Sequence, residues 1–360
     1  MDRKQLLSDV LGGHRLSINE AISLLSTKDR NIFDIVSAAD TLREEKVGDV
    51  VTYVRNQNIH ITNICKNLCG FCSFGRRAGD EGAYCDDRDT LVKKTNLATE
   101  RGVTEICLLS GVHPEFTADN YINILGWVRD AAPGVHLHAF SPDEVAHAAS
   151  GSGISTREVL ERFKAAGIGS LQGTAAEILV DDVRDVICPR KVDTATWAGI
   201  IKEAHTCGIP STATIMYGSC ESAADQAQHL SILRDIQDET GGFTELVPLS
   251  FVHTNTPIYR KGLARPGATG REDILMTAVS RLFLDNFDNI QVSWGKLGLK
   301  LSQLALLSGG NDLAGTMFSD DVSVDAGAMG ADYLDPGMMQ YMVRDIGRTL
   351  KQRRTDYSPV

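Results

Sequence analysis

Short apolar, β-rich runs alternate with amphipathic helical stretches from about residue 58 onward, and this rhythm constrains the fold more than any other feature. The apolar runs predict strands at 58–62, 104–110, 135–140, 169–173, 211–217, 245–251 and 289–294, with a further candidate at 312–316. The stretches between them predict helices near 89–101, 118–131, 155–167, 194–207, 223–239, 271–285 and 297–307. Alternation of this kind predicts a parallel sheet with helices packed outside it.

The number of strand–helix units indicates the class of fold. Seven units and a candidate eighth span about the 250 residues that are typical of a (β/α)8 barrel. We therefore predict an α/β fold of the (β/α)8 TIM type in residues 51–360, including the C-terminal segment, preceded by a helical N-terminal extension in residues 1–50. A doubly wound sheet is less favoured, because no Gly-x-Gly-x-x-Gly follows the first strand.

Composition and charge exclude several classes of protein. The 360 residues carry 47 acids and 36 bases, a net charge of −11, without long blocks of one sign. A nucleic-acid partner is not expected, because phosphate contacts need clustered Lys and Arg. The segment MDRKQLLSDVLGGHR lacks the apolar core of a signal peptide, and no stretch is long and apolar enough to span a bilayer. The expected protein is a cytoplasmic enzyme with no membrane partner.

Three cysteines form the most informative motif. Cys65, Cys69 and Cys72 lie in NICKNLCGFCSF (63–74), directly after the first predicted strand, at the end of a barrel where catalytic residues lie. Buried structural cysteines are one interpretation, although three within eight positions are unusual as core residues. A structural zinc site needs four ligands, for which Cys85 is a candidate. A redox Cys-x-x-Cys pair would leave Cys65 unexplained.

The remaining interpretation is an iron–sulfur cluster. A [4Fe–4S] cluster held by three thiolates keeps one iron open for a small molecule. The Cys-x3-Cys-x2-Cys spacing resembles the signature of radical S-adenosylmethionine (SAM) enzymes. That resemblance implies that the open iron binds the amino and carboxylate groups of SAM and that reduction releases a 5′-deoxyadenosyl radical. A non-catalytic metal-binding protein is the alternative class.

Longer stretches resemble one branch of that superfamily, the tyrosine-using (CofH) family of FO synthase subunits. The resemblance covers roughly residues 50–355 and lies in NIHITNICKNLCGFCSF (58–74), HLHAFSPDEV (136–145), GTAAEIL (173–179), VICPRK (186–191), TGGFTELVPLSFVHTNTPIY (240–259), QVSWGKLG (291–298) and GGNDLAGTMFSDDVS (309–323). Two menaquinone-pathway relatives, aminofutalosine synthase and dehypoxanthine futalosine cyclase, share much of this framework and remain alternatives.

The resemblance implies a reaction and its partners. A [4Fe–4S] cluster and SAM would be the cofactors, and L-tyrosine and 5-amino-6-(D-ribitylamino)uracil the substrates. The tyrosine side chain would be cleaved and its 4-hydroxybenzyl group transferred to the uracil. Because the chain has one cluster motif, the ring-closing partner would be a separate CofG-type subunit, and a reductant such as ferredoxin or flavodoxin would supply the electron.

Four residues are expected near SAM. The resemblance implies that Glu177 contacts SAM, and Lys191 is a candidate partner for a carboxylate. For Glu177, a charge favoured by a helix N-terminus is the alternative explanation. Ser110 and Gly111 occupy the position of the family's Gln-Gly-Gly element, which presents backbone to SAM; here the sequence reads Leu109-Ser-Gly.

Three further polar residues are expected at the barrel mouth as catalytic or substrate-binding groups. His136 and His138 lie two positions apart on a strand and so point to the same side; we expect His136 to be packed and His138 to be nearer the substrate. Ser141 follows that strand, and His253 follows the sixth predicted strand. An imidazole at either position can bind a carboxylate or carry a proton. For both histidines, packing in the core is the alternative.

Overall fold

The computed structural model describes residues 3–360. Within that range the strands are β1 Val50–Val54, β2 Asn56–His60, β3 Glu105–Leu109, β4 His136–Ala139, β5 Ser170–Leu171, β6 Ser211–Tyr217, β7 Phe243–Ser250, β8 Asp312–Gly315 and β9 Thr349–Arg353. The helices are α1 Arg3–Leu11, α2 Ile18–Leu25, α3 Ile32–Val47, α4 Arg88–Glu100, α5 Ala118–Ala131, α6 Pro142–Ser152, α7 Thr156–Ala166, α8 Asp181–Ile187, α9 Thr194–Thr206, α10 Ala223–Thr240, α11 Pro257–Arg260, α12 Gly270–Phe283, α13 Trp294–Leu297, α14 Leu299–Leu306, α15 Asp321–Ala326 and α16 Pro336–Asp345.

The strands form a curled parallel sheet. Strands β2 to β7 pair side by side in chain order, and β8, β1 and β9 form a second parallel sheet. Single parallel bridges at residues 290 and 291 join β7 to β8. On the other side, the amide of Asn58 in β2 donates to the carbonyl of Met317, just beyond β8, at 2.9 Å. Eight strand positions therefore surround one interior, which confirms the predicted TIM-type α/β fold.

The predicted strands overlap the strands or bridges of this barrel, whereas β1 and β9 were not predicted. Strand β9 has the largely polar sequence TLKQR and so lacks the apolar alternation on which the prediction relied. It pairs in parallel with β1 along its whole length. The C-terminal strand β9 is therefore the outer strand of the second sheet, and β1 lies between it and the barrel strand β8.

The first three helices pack on the outside of the barrel. Helices α2 and α3 contact α12, and α2 also contacts α10. Ser17 and Glu20 form a capping box that fixes the start of α2. None of the helices within residues 3–360 has the length and apolarity needed to cross a bilayer. The division of the chain at residue 50 stays a prediction.

The hydrophobic core lies between the strands and the helices. Ile59, Ile106 and Leu137 belong to the main core cluster and are 0–2% exposed. Successive side chains of a strand point to opposite faces, so the intervening residues face the barrel interior. Those interior residues include Asn58 and His138. The interior of this barrel is therefore largely polar.

Close strand packing at Gly173, after β5, yields the first prediction. A Cβ at Gly173 would lie 2.0 Å from the carbonyl oxygen of Thr212 in β6. Gly173→Ala must therefore move backbone, and we expect it to lower the free energy of unfolding by about 1–3 kcal/mol or more. Gly199→Ala, on α9 with open space around it, is the matched control and should raise the free energy of unfolding by about 0.5–1 kcal/mol. Urea unfolding of both variants measures the difference; equal effects would contradict this packing.

Candidate active site

A pocket of about 270 Å³ opens at the carboxyl ends of the barrel strands. Loops that follow β2, β3, β4, β5 and β7 form its wall, and residues of α15 cover it. We call it the upper pocket. Its lining includes Cys65, Cys69, Cys72, Ser110, Gly111, Ser141, Glu144, Thr174, Glu177, Lys191, Leu249, Phe251, Lys296 and Ser323.

The cysteine loop is held on one side of this pocket by backbone hydrogen bonds. The amide of Cys65 donates to the carbonyl of Arg76 at 2.9 Å, and the amide of Gly70 donates to the carbonyl of Ile187 at 2.8 Å. Cys65, Cys69 and Cys72 all line the upper pocket. Cys85 is exposed and pairs with Thr62 in an isolated antiparallel bridge outside that lining. The structure therefore places the three cysteines of the motif along one pocket and leaves Cys85 apart from them. Within residues 3–360 they do not form a closed metal-holding group.

Cys69 is buried, and Cys65 and Cys72 are half-buried. Burial raises the pKa of Cys69 and of Cys72. Hydrogen bonds from the backbone amides of Gly75 and Phe74 oppose this effect at Cys72, because they favour its thiolate. Three thiols on one pocket wall, one of them facing amide donors, form a donor set that suits an iron–sulfur cluster.

Gly111 allows a close approach between the loop after β3 and the cysteine loop. Its amide donates to the carbonyl of Thr62 at 2.8 Å. A Cβ at Gly111 would lie 2.5 Å from the carbonyl oxygen of Ile64 and 3.1 Å from the Cβ of Cys65. The hydroxyl of Ser110 donates to the carbonyl of Gly111 at 2.7 Å, so this segment presents mostly backbone to the pocket. Only glycine fits at position 111 without displacing the cysteine loop.

Glu177 and Lys191 form a buried ion pair in the upper pocket. The Lys191 Nζ and the Glu177 Oε1 are 2.6 Å apart, and the side chains are 15% and 10% exposed. Burial alone would lower the pKa of Lys191, but the negative charges of Glu177, Cys69 and Asp143 outweigh it and raise that pKa. Glu177 has a φ of 46°, a left-handed conformation that is costly outside glycine.

The alternative explanation for Glu177 does not fit its position. Helix α8 begins at Asp181 and its N-cap is Val180, so Glu177 lies outside the first helical turn. Its carboxylate is bonded to Lys191 instead of to the amides of that helix. Its ion pair and its strained backbone therefore favour a role for Glu177 in the upper pocket.

The three residues expected at the barrel mouth occupy different places. Ser141 lines the upper pocket, but it is the N-cap of α6, and its hydroxyl and amide donate to the Glu144 Oε2 at 2.9 and 2.7 Å. His138 lies deeper in the barrel, where its Nδ1 is 2.7 Å from the Ser170 hydroxyl. His253 packs edge-on against Tyr259, with ring centroids 4.5 Å apart, outside the pocket lining.

Sequence reasoning missed Glu144, the partner of Ser141. Its Oε2 completes the capping box, while its Oε1 is buried and has no hydrogen-bond partner among residues 3–360. Burial raises the pKa of Glu144 to about 7. The Ser-x-x-Glu pattern directly after the predicted third strand was the signal that could have identified it, because a capping box there puts a carboxylate at the barrel mouth.

Other missed residues support or complete the pocket. Asp143 accepts hydrogen bonds from the side chain of Asn67 in the cysteine loop and from the amide of Val192. Lys296 reaches the pocket from α13 and contacts the Ser323 hydroxyl, with Asp320 at 3.6 Å. These residues come from distant parts of the sequence, so no local pattern joins them.

Comparison with known proteins first defines the class. The sequence model of the radical SAM superfamily matches residues 59–231, which contain all three cysteines, and that of the CofH/MqnC C-terminal region matches residues 240–360. Methylornithine synthase (PylB) has the same fold, with a TM-score of 0.73 and 16% identity over 98% of each chain. HydG, a maturase of the [FeFe]-hydrogenase, has a TM-score of 0.76 and 14% identity over 96% of this chain and 75% of its own. The chain is a radical SAM protein.

Curated relatives define the particular family. The 5-amino-6-(D-ribitylamino)uracil–L-tyrosine 4-hydroxyphenyl transferase of Methanoculleus marisnigri is 61% identical over 99% of this chain and 97% of its own. The transferase of Methanocaldococcus jannaschii is 44% identical over 95% of this chain and 96% of its own. This chain belongs to the family of these transferases, the CofH family of radical SAM enzymes.

The raised pKa of Glu144 predicts a pH-dependent contribution to stability. Between its ordinary value of 4.5 and its folded value of about 7, the folded protein keeps a proton that the unfolded chain has released. The free energy of unfolding must therefore fall as pH rises through this window. Glu144→Gln keeps the capping box but cannot ionise. From pH 5 to 8, the free energy of unfolding of the wild type should fall by about 3 kcal/mol relative to that of this variant. Urea unfolding measures both.

The control for this prediction is Glu272→Gln, at the equivalent position of the α12 capping box. Burial raises the pKa of Glu272, but hydrogen bonds from Thr269 and Arg265 outweigh this effect and lower that pKa, so its stabilising effect is lost only below the ordinary value of 4.5. The difference in free energy of unfolding between wild type and Glu272→Gln should stay flat from pH 5 to 8. A flat difference for Glu144→Gln as well would show that Glu144 is ionised throughout.

Proposed function

We propose that this chain transfers the 4-hydroxybenzyl group of L-tyrosine to 5-amino-6-(D-ribitylamino)uracil, in the formation of FO for coenzyme F420. The observation that carries the proposal is its 61% identity over 99% of the chain to a transferase of that name. The upper pocket supports it, because the cysteine motif and a buried ion pair face the same space.

Cys65, Cys69 and Cys72 are assigned as the ligands of a [4Fe–4S] cluster. When bound, the cluster and SAM supply a one-electron cleavage that yields a 5′-deoxyadenosyl radical. The chain contributes the three thiolates, the amides of Phe74 and Gly75 that favour the thiolate of Cys72, and the glycine at position 111 that leaves space beside Cys65.

Ser110, Gly111, Glu177 and Lys191 are assigned to SAM binding. The methionine portion of SAM carries both an ammonium and a carboxylate. The pair of Glu177 and Lys191 offers the complementary charges at 2.6 Å from each other, already desolvated inside the pocket. The carbonyl groups of Ser110 and Gly111 add acceptors on the adjoining wall.

The remaining site residues act on the substrates in different ways. Ser141 is a positioning residue, because its hydroxyl and amide fix the carboxylate of Glu144. Glu144 lines the pocket, and its Oε1 is buried without a hydrogen-bond partner among residues 3–360. It is assigned a proton-carrying role, which a pKa of about 7 favours. His138 is assigned to contact substrate from below. His253 packs against Tyr259 outside the pocket lining, so no substrate contact is assigned to it.

The partners follow from this assignment. Because the chain has one cluster motif, a separate CofG-type subunit closes the ring of FO. A reductant such as ferredoxin or flavodoxin supplies the electron. All eight cysteines have free thiols, which supports the reducing environment of the cytoplasm.

Cluster assembly tests the ligand assignment. After anaerobic reconstitution with iron and sulfide, Cys65→Ala, Cys69→Ala and Cys72→Ala should each lose most of the bound iron and the cluster absorbance, because each thiolate holds a different iron. Cys85→Ala is the matched control and should keep the iron content and the EPR response to SAM. Loss of the cluster in Cys85→Ala with retention in Cys65→Ala would reverse the assignment.

An anaerobic assay tests the proposed reaction. SAM, a reductant, L-tyrosine and 5-amino-6-(D-ribitylamino)uracil should together yield 5′-deoxyadenosine and a hydroxybenzyl adduct of the uracil in mass spectrometry. Either substrate alone should give no adduct. Deoxyadenosine that depends on a futalosine-type nucleoside and not on tyrosine would instead assign the chain to the menaquinone-pathway enzymes.

A further inference from the structure

A second cavity of about 170 Å³ lies inside the barrel beneath the upper pocket, and we call it the lower chamber. Its lining is mostly polar: Asn56, Asn58, Glu105, Cys107, His138, Thr174, Thr212, Thr214, Glu245, Gln291, Arg353 and Thr355, with Val54, Val247, Leu249, Ala314, Gly315 and Met317. The interior of a (β/α)8 barrel is usually filled by branched apolar side chains. Burying polar groups costs free energy unless they are hydrogen-bonded. We therefore expect this lining to bind a polar ligand.

Several polar atoms of the lining have no protein partner. His138 is 9% exposed, and its Nδ1 is bonded to Ser170, whereas no residue within 3–360 bonds its Nε2. The side-chain amide of Asn58 likewise makes no hydrogen bond to the described part of the chain. Gln291 donates its amide to Glu245 at 3.0 Å, which leaves its Oε1 free. These three groups come from three different strand positions and face one space.

The charged groups at the base of the chamber are already paired. Arg353 donates to Asp312 at 2.6 Å and to Glu245 at 3.2 Å, and the Tyr357 hydroxyl also donates to Glu245. Glu105 accepts from the Thr355 hydroxyl at 2.6 Å. Arg353 is the one cation among the described residues of the lining, and it is neutralised. A ligand carboxylate would find no free positive charge here.

The chamber adjoins the upper pocket, because Thr174 and Leu249 line both. A molecule that reacts beside the cysteine loop would extend one end into the chamber past these two side chains. The end that enters must be neutral and must carry several hydroxyls, so that it can both donate to and accept from His138, Asn58 and Gln291.

We propose that the lower chamber binds the ribityl chain of the uracil substrate. His138, Asn58 and Gln291 then determine the specificity for this chain. This inference rests on the proposed function. The ribityl chain is uncharged, unbranched and carries four hydroxyls, which matches a narrow polar cavity without a free cation. The phenol of tyrosine has a single hydroxyl on an apolar ring and would leave most of these polar groups unpaired.

The experiment compares two ligands of the reconstituted enzyme by anaerobic isothermal titration calorimetry. The ligands are 6-(D-ribitylamino)uracil, which lacks the reactive 5-amino group, and 6-(methylamino)uracil, which lacks the polyol. Asn58→Leu and His138→Phe should each weaken binding of the ribityl ligand by about 5- to 20-fold. Binding of the methylamino ligand should change by less than about twofold, because its contacts lie above the chamber.

His136→Phe is the matched control for His138→Phe. Both histidines lie on β4 and bond the same Ser170 hydroxyl, at 2.8 and 2.7 Å, but His136 does not line the chamber. Its variant should bind the ribityl ligand as the wild type does. Cluster content and urea unfolding verify that the variants fold, and Asn58→Ala replaces Asn58→Leu if the larger side chain prevents folding.

Three outcomes would overturn the proposal: unchanged affinity for the ribityl ligand in both chamber variants, equal weakening of both ligands, or a rise in the KM for tyrosine with no effect on the ribityl ligand. The last would place the phenol in the chamber. The proposed function is tested separately by adduct formation in the wild type. An adduct together with unchanged ribityl affinity in the variants would reject the chamber assignment alone.

Discussion

The buried guanidinium of Arg353 is the interaction on which the shape of the barrel interior depends. It is 2% exposed and joins Asp312 of β8 to Glu245 of β7 from the end of β9. Removing one partner of a buried ion pair leaves an uncompensated charge and typically costs about 3–5 kcal/mol. The segment that contains Arg353 is therefore a structural part of the barrel, because it ties β9 to β7 and β8 through buried hydrogen bonds.

This long-range pairing explains which parts of the fold the sequence could predict. The strands from β2 to β8 are apolar on the face that meets the helices, and that periodicity is visible along the chain. Strand β9 is not apolar on either face, because its buried residue, Arg353, is charged. Its place is determined by carboxylates located about 40 and 110 residues earlier in the chain, at Asp312 and Glu245, and no local pattern encodes such pairing.

In the candidate site, too, a local pattern predicts some residues, whereas partners distant in the sequence position others. Cys65, Cys69 and Cys72 could be predicted because one loop contains all three, and their spacing is itself the signal. His138 could be predicted as a polar residue whose side chain points into the barrel. Its depth in the barrel depends on the length of β4 and on Ser170 of the next strand. Glu144 was overlooked because the pattern Ser-x-x-Glu usually reports a helix start and not a functional carboxylate. Capping and function coincide here, since α6 begins at the barrel mouth.

The distribution of charge divides the interior into two compartments with different chemistry. The upper pocket has the ion pair of Glu177 and Lys191 and the ammonium of Lys296, which suit zwitterions such as the methionine portion of SAM and tyrosine. The lower chamber has one cation, Arg353, and the carboxylates of Glu105 and Glu245, all of them already hydrogen-bonded within the protein. Its other polar groups are neutral, since burial lowers the pKa of His138 to about 4 and keeps its imidazole uncharged. A neutral polyol can occupy this chamber while its heterocycle lies level with Thr174 and Leu249, the residues common to both cavities. Under the proposed function, two amino-acid-like molecules and one polyhydroxylated uracil can then share a single barrel without competing for the same charges, and the proposed reaction would take place where the two cavities adjoin.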